Sequence, residues 1–356
     1  MPDLPPPLAQ LTARPVVTSL AIATVGGATF FWLGLPLPWM LGAILSVFAA
    51  VMARVDLRGP DELRPVVVPV IGVMLGAGFD TDTFGQLSQW ALSLAGLVIY
   101  IGVSAALVVP FYIKAGRLDP VTAFFAAMPG GINEMTVIGE DLGGDGKRII
   151  LAHAARIVLT ISLIAFWFRV VLGYEVGGVL TTSDPDHALT VLSAAMLLAC
   201  AFVGTWVGGK LRLPAPGLLG PLVLSAVVHM AGVTQSSPPA WLIILAQIIL
   251  GASMGARFRG ASSRLVLTTI ALSFGGTLIM LGVTLAAAVG LHTSFGQTTE
   301  QVILAYAPGG LTEMSLVALA MRADVAYISV HHLARIVILI AIAPTLLAWI
   351  ARRMRP

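Results

Sequence analysis

Apolar runs, separated by short polar breaks, follow one another along almost the whole chain of 356 residues. A run of roughly 17–25 apolar residues is long enough, at about 1.5 Å per residue, to cross the hydrocarbon core of a bilayer. The pattern therefore predicts an all-α polytopic membrane protein. Each half of the chain contains six segments, at 16–33, 38–53, 65–79, 89–113, 120–140 and 148–172, and at 187–209, 216–232, 240–256, 265–290, 298–321 and 325–350.

The second half of the chain repeats the first. Met128–Met135 reads Met-Pro-Gly-Gly-Ile-Asn-Glu-Met, and Ala307–Met314 reads Ala-Pro-Gly-Gly-Leu-Thr-Glu-Met, 179 residues later. The same offset aligns two further pairs, His153 with His332 and Arg156 with Arg335. The duplication predicts an N-terminal tail over 1–15 and two membrane repeats, over 16–179 and 180–356.

Pro-Gly-Gly falls near the middle of the fifth apolar segment of each half. Because proline removes a backbone donor and glycine is a poor helix former, each segment is predicted to break into two half-helices. A half-helix of about ten residues covers roughly 15 Å, about half of the membrane. Irregular backbone at that depth is tolerated only where it is buried in protein or lines a cavity. The breaks are therefore candidate functional positions.

The lysines and arginines indicate how often the chain crosses. If the fifth segment of each half enters and leaves on one side, sixteen of these residues in the polar breaks lie inside and only Arg322 lies outside. If that segment crosses, nine lie inside and eight outside. The positive-inside rule favours the first arrangement. It has five crossings per half, both termini in the cytoplasm, and inverted repeats, as in many secondary transporters. A crossing broken helix stays open as the alternative.

Composition agrees with this class. Hydrophobic residues make up 58% of the chain and charged residues 10%, with a mean hydropathy of +0.95. The net charge of +3 would suit a nucleic-acid partner, but none is expected, because the basic residues sit at the ends of apolar runs, where a bilayer places them. Membrane lipid is the expected surrounding, and a homo-oligomer stays open. The single cysteine, Cys200, excludes a disulfide framework. Tryptophans near the ends of runs are predicted interfacial anchors: Trp32, Trp39, Trp90, Trp241 and Trp349.

The residues after each break could carry chemistry. Asn133 and Thr312 are good helix N-cap types, and each is followed by a glutamate, which the positive end of a helix favours. Glu134 and Glu313 therefore either cap their half-helices or bind a cation, a proton or a substrate amine. The backbone N–H groups of the same half-helices could instead receive an anionic substrate.

Arg156 and Arg335 should lie close to the midplane, where an arginine needs a carboxylate, carbonyls or an anion. Glu134 and Glu313 are the expected partners, and ion pairing and substrate binding stay equally open. The histidines three residues earlier share a helical face with the arginines and could relay protons. The candidate binding residues are Gly130, Gly131, Asn133, Glu134, His153, Arg156, Gly309, Gly310, Thr312, Glu313, His332 and Arg335.

With Pro129–Met135 and Pro308–Met314, the chain resembles the AbrB-type duplicated inner-membrane proteins of bacteria, whose halves each carry a Pro-Gly-Gly-x-x-Glu-Met signature. The resemblance covers about 16–350. It implies a transporter-like protein of the bacterial inner membrane. Family members also carry ammonia-monooxygenase and gene-regulator labels, and none of these fixes a substrate.

Three functions are therefore weighed. The first is a secondary transporter of a small organic acid, amino acid or zwitterion, in which one inverted half rocks against the other. The second is an indirect regulator of gene expression, since no DNA-reading motif is discernible. The third, an oxidoreductase, is disfavoured because the histidines lack metal-ligand spacing. The sequence predicts no enzyme activity, catalytic residue, metal or cofactor.

Overall fold

A computed structural model describes residues 13–79, 83–173, 190–213, 215–295, 297–321 and 323–353. These residues are helical throughout, with short connections and no β-strand among them. The α-helices of the described residues are α1 (Ala13–Trp32), α2 (Pro38–Met52), α3 (Arg64–Gly76), α4 (Thr83–Gly116), α5 (Pro120–Ala127), α6 (Ile132–Asp141), α7 (Gly146–Phe166), α8 (Val191–Lys210), α9 (Pro216–Met230), α10 (Ala240–Ala256), α11 (Ser263–Phe295), α12 (Thr299–Tyr306), α13 (Leu311–Ala320) and α14 (Val325–Arg353).

Several sequence predictions fall outside the described residues. These are most of the N-terminal tail, the boundary between the repeats at 179/180, and Arg322. The break in the fifth segment of each half is confirmed, because α5 and α12 end just before Pro-Gly-Gly and α6 and α13 begin just after it.

Six helices among the described residues are long and apolar enough to cross a membrane, and the chain is accordingly a multi-pass membrane-type helical protein. They occupy the same positions in each half: α1, α4 and α7, then α8, α11 and α14. Four other predicted crossings, α2, α3, α9 and α10, form shorter helices of 13–17 residues. Proline at the first or second position of α2, α3 and α9 sets where those three helices begin.

The helices form two groups, and each group takes helices from both halves. In the first group α2 packs on α10 and α3 packs on α9, with α1 and α8 outside them. In the second group α4 and α7 pack on α11, and the broken segments and α14 complete it. The two halves are therefore interleaved rather than placed side by side.

Glycines set the close packing in the first group. A β-carbon on Gly76 would lie 2.5 Å from the Leu222 carbonyl oxygen, and one on Gly255 would lie 2.6 Å from the Ile44 carbonyl oxygen. Each glycine ends a Gly-x-x-x-Gly sequence, a pattern of small residues that allows two helices to approach closely.

The second group has α4 and α11 at its centre, and these helices are repeats of each other. Gly276 lies against Tyr112, whereas Thr284 donates to the Tyr100 hydroxyl at 3.4 Å. Residue numbers thus rise along one helix as they fall along the other, and the two repeats of one segment run antiparallel.

Both broken segments double back. The Asp145 N–H, just before α7, donates to Thr122 Oγ1 at the start of α5 at 2.8 Å. In the second half, Gln301 Nε2 donates to Asp324 Oδ2 at 3.2 Å, at the same two repeat positions. A straight helix would separate such residues by about 30 Å. Each broken segment is therefore a helical hairpin whose tip carries Pro-Gly-Gly.

The outer surface is apolar, as a lipid-facing surface should be. On α8, for example, Leu198, Phe202 and Trp206 form one exposed stripe. Trp32 and Trp241 are exposed, which an interfacial anchor requires. Trp90 is 3% exposed and packs edge-on against Tyr327 at 5.5 Å, so the prediction of an interfacial anchor at Trp90 is wrong.

Candidate functional site

Arg156 lies beneath the tip of the first hairpin and binds the end of α5. Its Nη1 donates to the carbonyl oxygens of Ala126, Ala127 and Met128 at 3.2, 3.3 and 3.0 Å. The last carbonyls of a helix have no intrahelical partner and carry its negative dipole end. The guanidinium therefore satisfies and neutralises a helix end that lipid could not solvate.

His153 fixes this arginine from the side. Arg156 Nη2 donates to His153 Nδ1 at 3.0 Å, and His153 Nε2 donates to the Phe125 carbonyl oxygen at 2.8 Å. An arginine can only donate and a carbonyl can only accept, so these partners require the neutral imidazole with its proton on Nε2. The predicted shared face of His153 and Arg156 is confirmed.

The second half repeats this arrangement. Arg335 Nη1 and Nη2 each donate at 2.6 Å, to the carbonyl oxygens of Ala307 and Gly309. Nη2 also donates to His332 Nδ1 at 3.1 Å, and His332 Nε2 donates to the Leu304 carbonyl oxygen at 3.0 Å. Both arginines are 2% exposed.

Arg156, on α7, bonds to the tips of both hairpins, and this breaks the symmetry between the two halves. Arg156 Nε donates to the carbonyl oxygen of Pro308, in the other half, at 3.1 Å. The matching atom, Arg335 Nε, is buried and has no hydrogen-bond partner among the described residues. The two Pro-Gly-Gly tips therefore lie side by side, linked from one side only.

The glycines of the tips make room for the glutamate and the methionine of the signature. A β-carbon on Gly131 would lie 2.9 Å from the Glu134 carboxyl carbon, and one on Gly130 would lie 2.8 Å from Met135 Cγ. Gly310 with Glu313 and Gly309 with Met314 repeat both contacts. The carboxylates thus fold back over the start of α6 and α13.

Two sequence predictions are corrected here. The arginines do not pair with Glu134 and Glu313, because within the described part of the chain carbonyl oxygens and histidines take their donors. Asn133 and Thr312 are not N-caps either. The half-helices begin two residues earlier, with Gly131 and Gly310 at the N-cap and no side-chain cap. Both glutamates do lie in the first turn, as predicted.

Exchange of Gly131 for alanine should displace the Glu134 carboxylate without unfolding the hairpin. The atoms that the new β-carbon meets are the far end of a flexible side chain, which can rotate away. We expect a change of less than about 1 kcal/mol in the free energy of unfolding, because the Glu134 side chain can relieve the clash by changing its rotamer. Thermal unfolding of G131A and of G282A, where nothing lies within 4 Å, checks this. A G131A protein that fails to fold contradicts it.

His331 and its neighbours were not among the candidate residues predicted from the sequence. Ser93 Oγ and His331 Nε2 lie 2.8 Å apart, and the His331 and Tyr327 ring centroids are 3.9 Å apart. Tyr306, at the end of α12, donates to the Ser93 carbonyl oxygen and lies against Tyr100. These residues are not duplicated, so the repeat gave no signal for them. Within the described residues, no three His, Cys, Asp or Glu side chains come close enough to hold a metal.

A family model described as "Transition state regulatory protein AbrB" matches residues 39–351, which include both hairpins and both arginines. The chain belongs to the AbrB family. It is 24% identical over 349 residues to "Uncharacterized protein YhjN" of Bacillus subtilis (strain 168), which covers 91% of this chain and 90% of that protein. It is 22% identical over 325 residues to "Putative regulator AbrB" of Escherichia coli (strain K12), which covers 90% of this chain and 92% of that one.

Proposed function

We propose that this AbrB-family protein is a secondary transporter of a small solute, with its binding site at the two Pro-Gly-Gly tips. The observation that carries the proposal is the 3.1 Å bond from Arg156 Nε to the Pro308 carbonyl oxygen. That bond brings together two breaks at which α6 and α13 both begin. Broken helices that meet in this way form the substrate and ion sites of inverted-repeat transporters.

We infer that the two halves are inverted, with five crossings each and one re-entrant hairpin. The antiparallel pairing of α4 with its repeat α11 supports inversion, because a parallel repeat would leave the two helices parallel. The closed ends of both hairpins, at Thr122–Asp145 and Gln301–Asp324, support re-entry. The distribution of lysine and arginine then favours an inner-membrane protein with both termini in the cytoplasm.

The solute binds at the starts of α6 and α13 rather than at the arginines. The arginines are buried and donate to carbonyl oxygens, so a solute would have to displace those bonds to reach them. Glu134 and Glu313 are partly exposed and offer carboxylates. The first backbone N–H groups of both half-helices lack intrahelical acceptors and offer donors. This combination suits a small solute with both donor and acceptor groups, and zwitterions, amino acids and small organic acids all qualify.

The packing also suggests which parts would move. Because the halves are interleaved, one half cannot rock against the other without separating α2 from α10 and α3 from α9. The boundary between the two helix groups carries fewer contacts, mainly α2 with α7 and α3 with α14. We propose that alternating access moves the second group, with both hairpins, against the first.

Exchange of Glu134 for glutamine should lower solute flux about ten-fold or more, because a hydrogen bond between the carboxylate and a charged group of the solute contributes about 1.5–3 kcal/mol, and about 1.4 kcal/mol is a factor of ten. Wild-type protein in liposomes is screened with labelled amino acids, small organic acids and zwitterions, and E134Q is then assayed with the solute that moves. Glu140, exposed at the other end of α6, provides the control E140Q, whose flux should match wild type. Equal flux in E134Q and wild type would contradict the proposed binding site.

A regulatory function is the second candidate, since the family description and the Escherichia coli relative's name both say regulator. A regulator that moves no solute predicts that wild-type protein gives no flux with any solute of the panel. It also predicts that E134Q alters expression of other genes in cells. Flux of one solute together with unchanged expression in E134Q supports the transporter instead.

A further inference from the structure

A basic cavity lies at one end of the second helix group, away from the hairpin tips. It has a volume of about 610 Å³ and opens between the last turn of α4 and the first turns of α7 and α11. Three arginines surround it, Arg117, Arg148 and Arg264, each from a different helix end. Its floor is apolar and includes Phe111 and Leu272.

The arginines are available to a ligand. Arg117, Arg148 and Arg264 are all exposed. Arg148 Nε lies 3.2 Å from Asp145 Oδ2, but both side chains are nearly half exposed, and such surface pairs contribute little. Arg117 and Arg264 form no ion pair with any described residue. The positive ends of α7 and α11 add to the potential at the mouth.

The other half of the chain shows how the fold fills the same place. Arg148 and Ala152 are the repeats of Tyr327 and His331, and Thr269 and Leu272 are the repeats of Trp90 and Ser93. In that half the Trp90 and Tyr327 rings lie 5.5 Å apart, Tyr327 and His331 lie 3.9 Å apart, and Ser93 bonds His331. The equivalent position is therefore packed with side chains. An open, arginine-lined cavity is not a requirement of this architecture.

We propose that this cavity binds the phosphate of an anionic phospholipid. Arginine forks match phosphate oxygens, and basic pockets between membrane helices bind anionic headgroups. A lipid fits better than soluble phosphate because the floor is apolar and the neighbouring face of α11 is exposed and apolar at Leu267, Phe274 and Leu278. The acyl chains would lie along that face. The proposal is independent of any transport function.

Lipid binding to the purified full-length chain tests the site. Native mass spectrometry measures retention of phosphatidylglycerol, phosphatidylcholine and inorganic phosphate by wild-type protein in detergent. We expect phosphatidylglycerol to bind at least about ten-fold more tightly than phosphatidylcholine. Each arginine exchanged for glutamine should weaken phosphatidylglycerol binding roughly five-fold. The triple variant R117Q/R148Q/R264Q should bind both lipids equally, whereas R212Q, an exposed arginine elsewhere, should behave as wild type.

A second variant tests the cavity without removing charge. T269W places in the cavity the residue that fills its repeat, Trp90, and should abolish the preference for phosphatidylglycerol with all three arginines present. Equal binding of the two lipids by wild type, or a preference that survives in both the triple variant and T269W, overturns the proposal. Arginine-dependent binding of inorganic phosphate without any lipid preference would identify soluble phosphate as the ligand and overturn it too.

Discussion

Exchange of Arg156 for glutamine is expected to lower the free energy of unfolding by on the order of 4 kcal/mol. The change leaves the buried carbonyl oxygens of Ala127, Met128 and Pro308 without their charged donor, and lipid cannot replace it. It also removes the hydrogen bond from α7 to the tip of the second hairpin. Thermal or denaturant unfolding of the purified protein measures the loss.

The repeat supplies the matched control. Arg335→Gln removes bonds to two carbonyl oxygens of its own half and, within the described residues, no hydrogen bond to the other half, so its effect should be the smaller of the two. Arg156→Lys keeps the charge, but a lysine ammonium cannot donate to carbonyl oxygens in several directions as the guanidinium does. The lysine variant should therefore not recover the stability of the wild-type protein. Equal losses for both glutamine variants, or recovery in the lysine variant, would show that the network around Arg156 is not what stabilises the tips.

Exchange of Gly76 for alanine should cost about 1–3 kcal/mol, the usual penalty of overpacking a filled core. The new β-carbon would lie 2.5 Å from the Leu222 carbonyl oxygen and 2.8 Å from the Ala226 nitrogen. Both are backbone atoms of α9 and cannot rotate away, unlike the Glu134 carboxylate beside Gly131. Helices α3 and α9 must therefore separate, which loosens the first helix group.

Gly209→Ala is the control, because nothing lies within 4 Å of a β-carbon there. Alanine has the higher helix propensity, so this variant should be neutral or slightly more stable. The unfolding midpoints of the two variants in one detergent give the comparison. If G76A unfolds at the same temperature as G209A, then the close approach of α3 and α9 does not limit stability.

The local features of the chain could be predicted because each has a sequence signal. Pro-Gly-Gly predicted both breaks, and the spacing of His153 and Arg156 predicted that they share a helical face. Because the chain repeats after 179 residues, each of these predictions applied to both halves. Most helix ends shifted by only a few residues, but α4 begins at Thr83 rather than near 89, and α7 ends at Phe166 rather than near 172.

The partners of the arginines could not be predicted. Carbonyl oxygens were among the expected kinds of partner, but nothing in the sequence indicates which carbonyls lie near. The prediction therefore named Glu134 and Glu313, although the ends of α5 and α12 offered free acceptors. The interleaving of the halves was hidden for a similar reason. An internal repeat specifies two similar halves, but not whether each packs on itself or on the other.

Interleaving makes this chain depend on the timing of its own synthesis. Ser225 Oγ donates to the Val73 carbonyl oxygen at 2.8 Å, although the two residues are 152 positions apart. At about 5–20 residues per second, α9 emerges from the ribosome on the order of ten seconds after α3. Throughout that interval the glycine face of α3 contacts lipid or another protein, so the nascent first half is most open to wrong partners before the second half arrives.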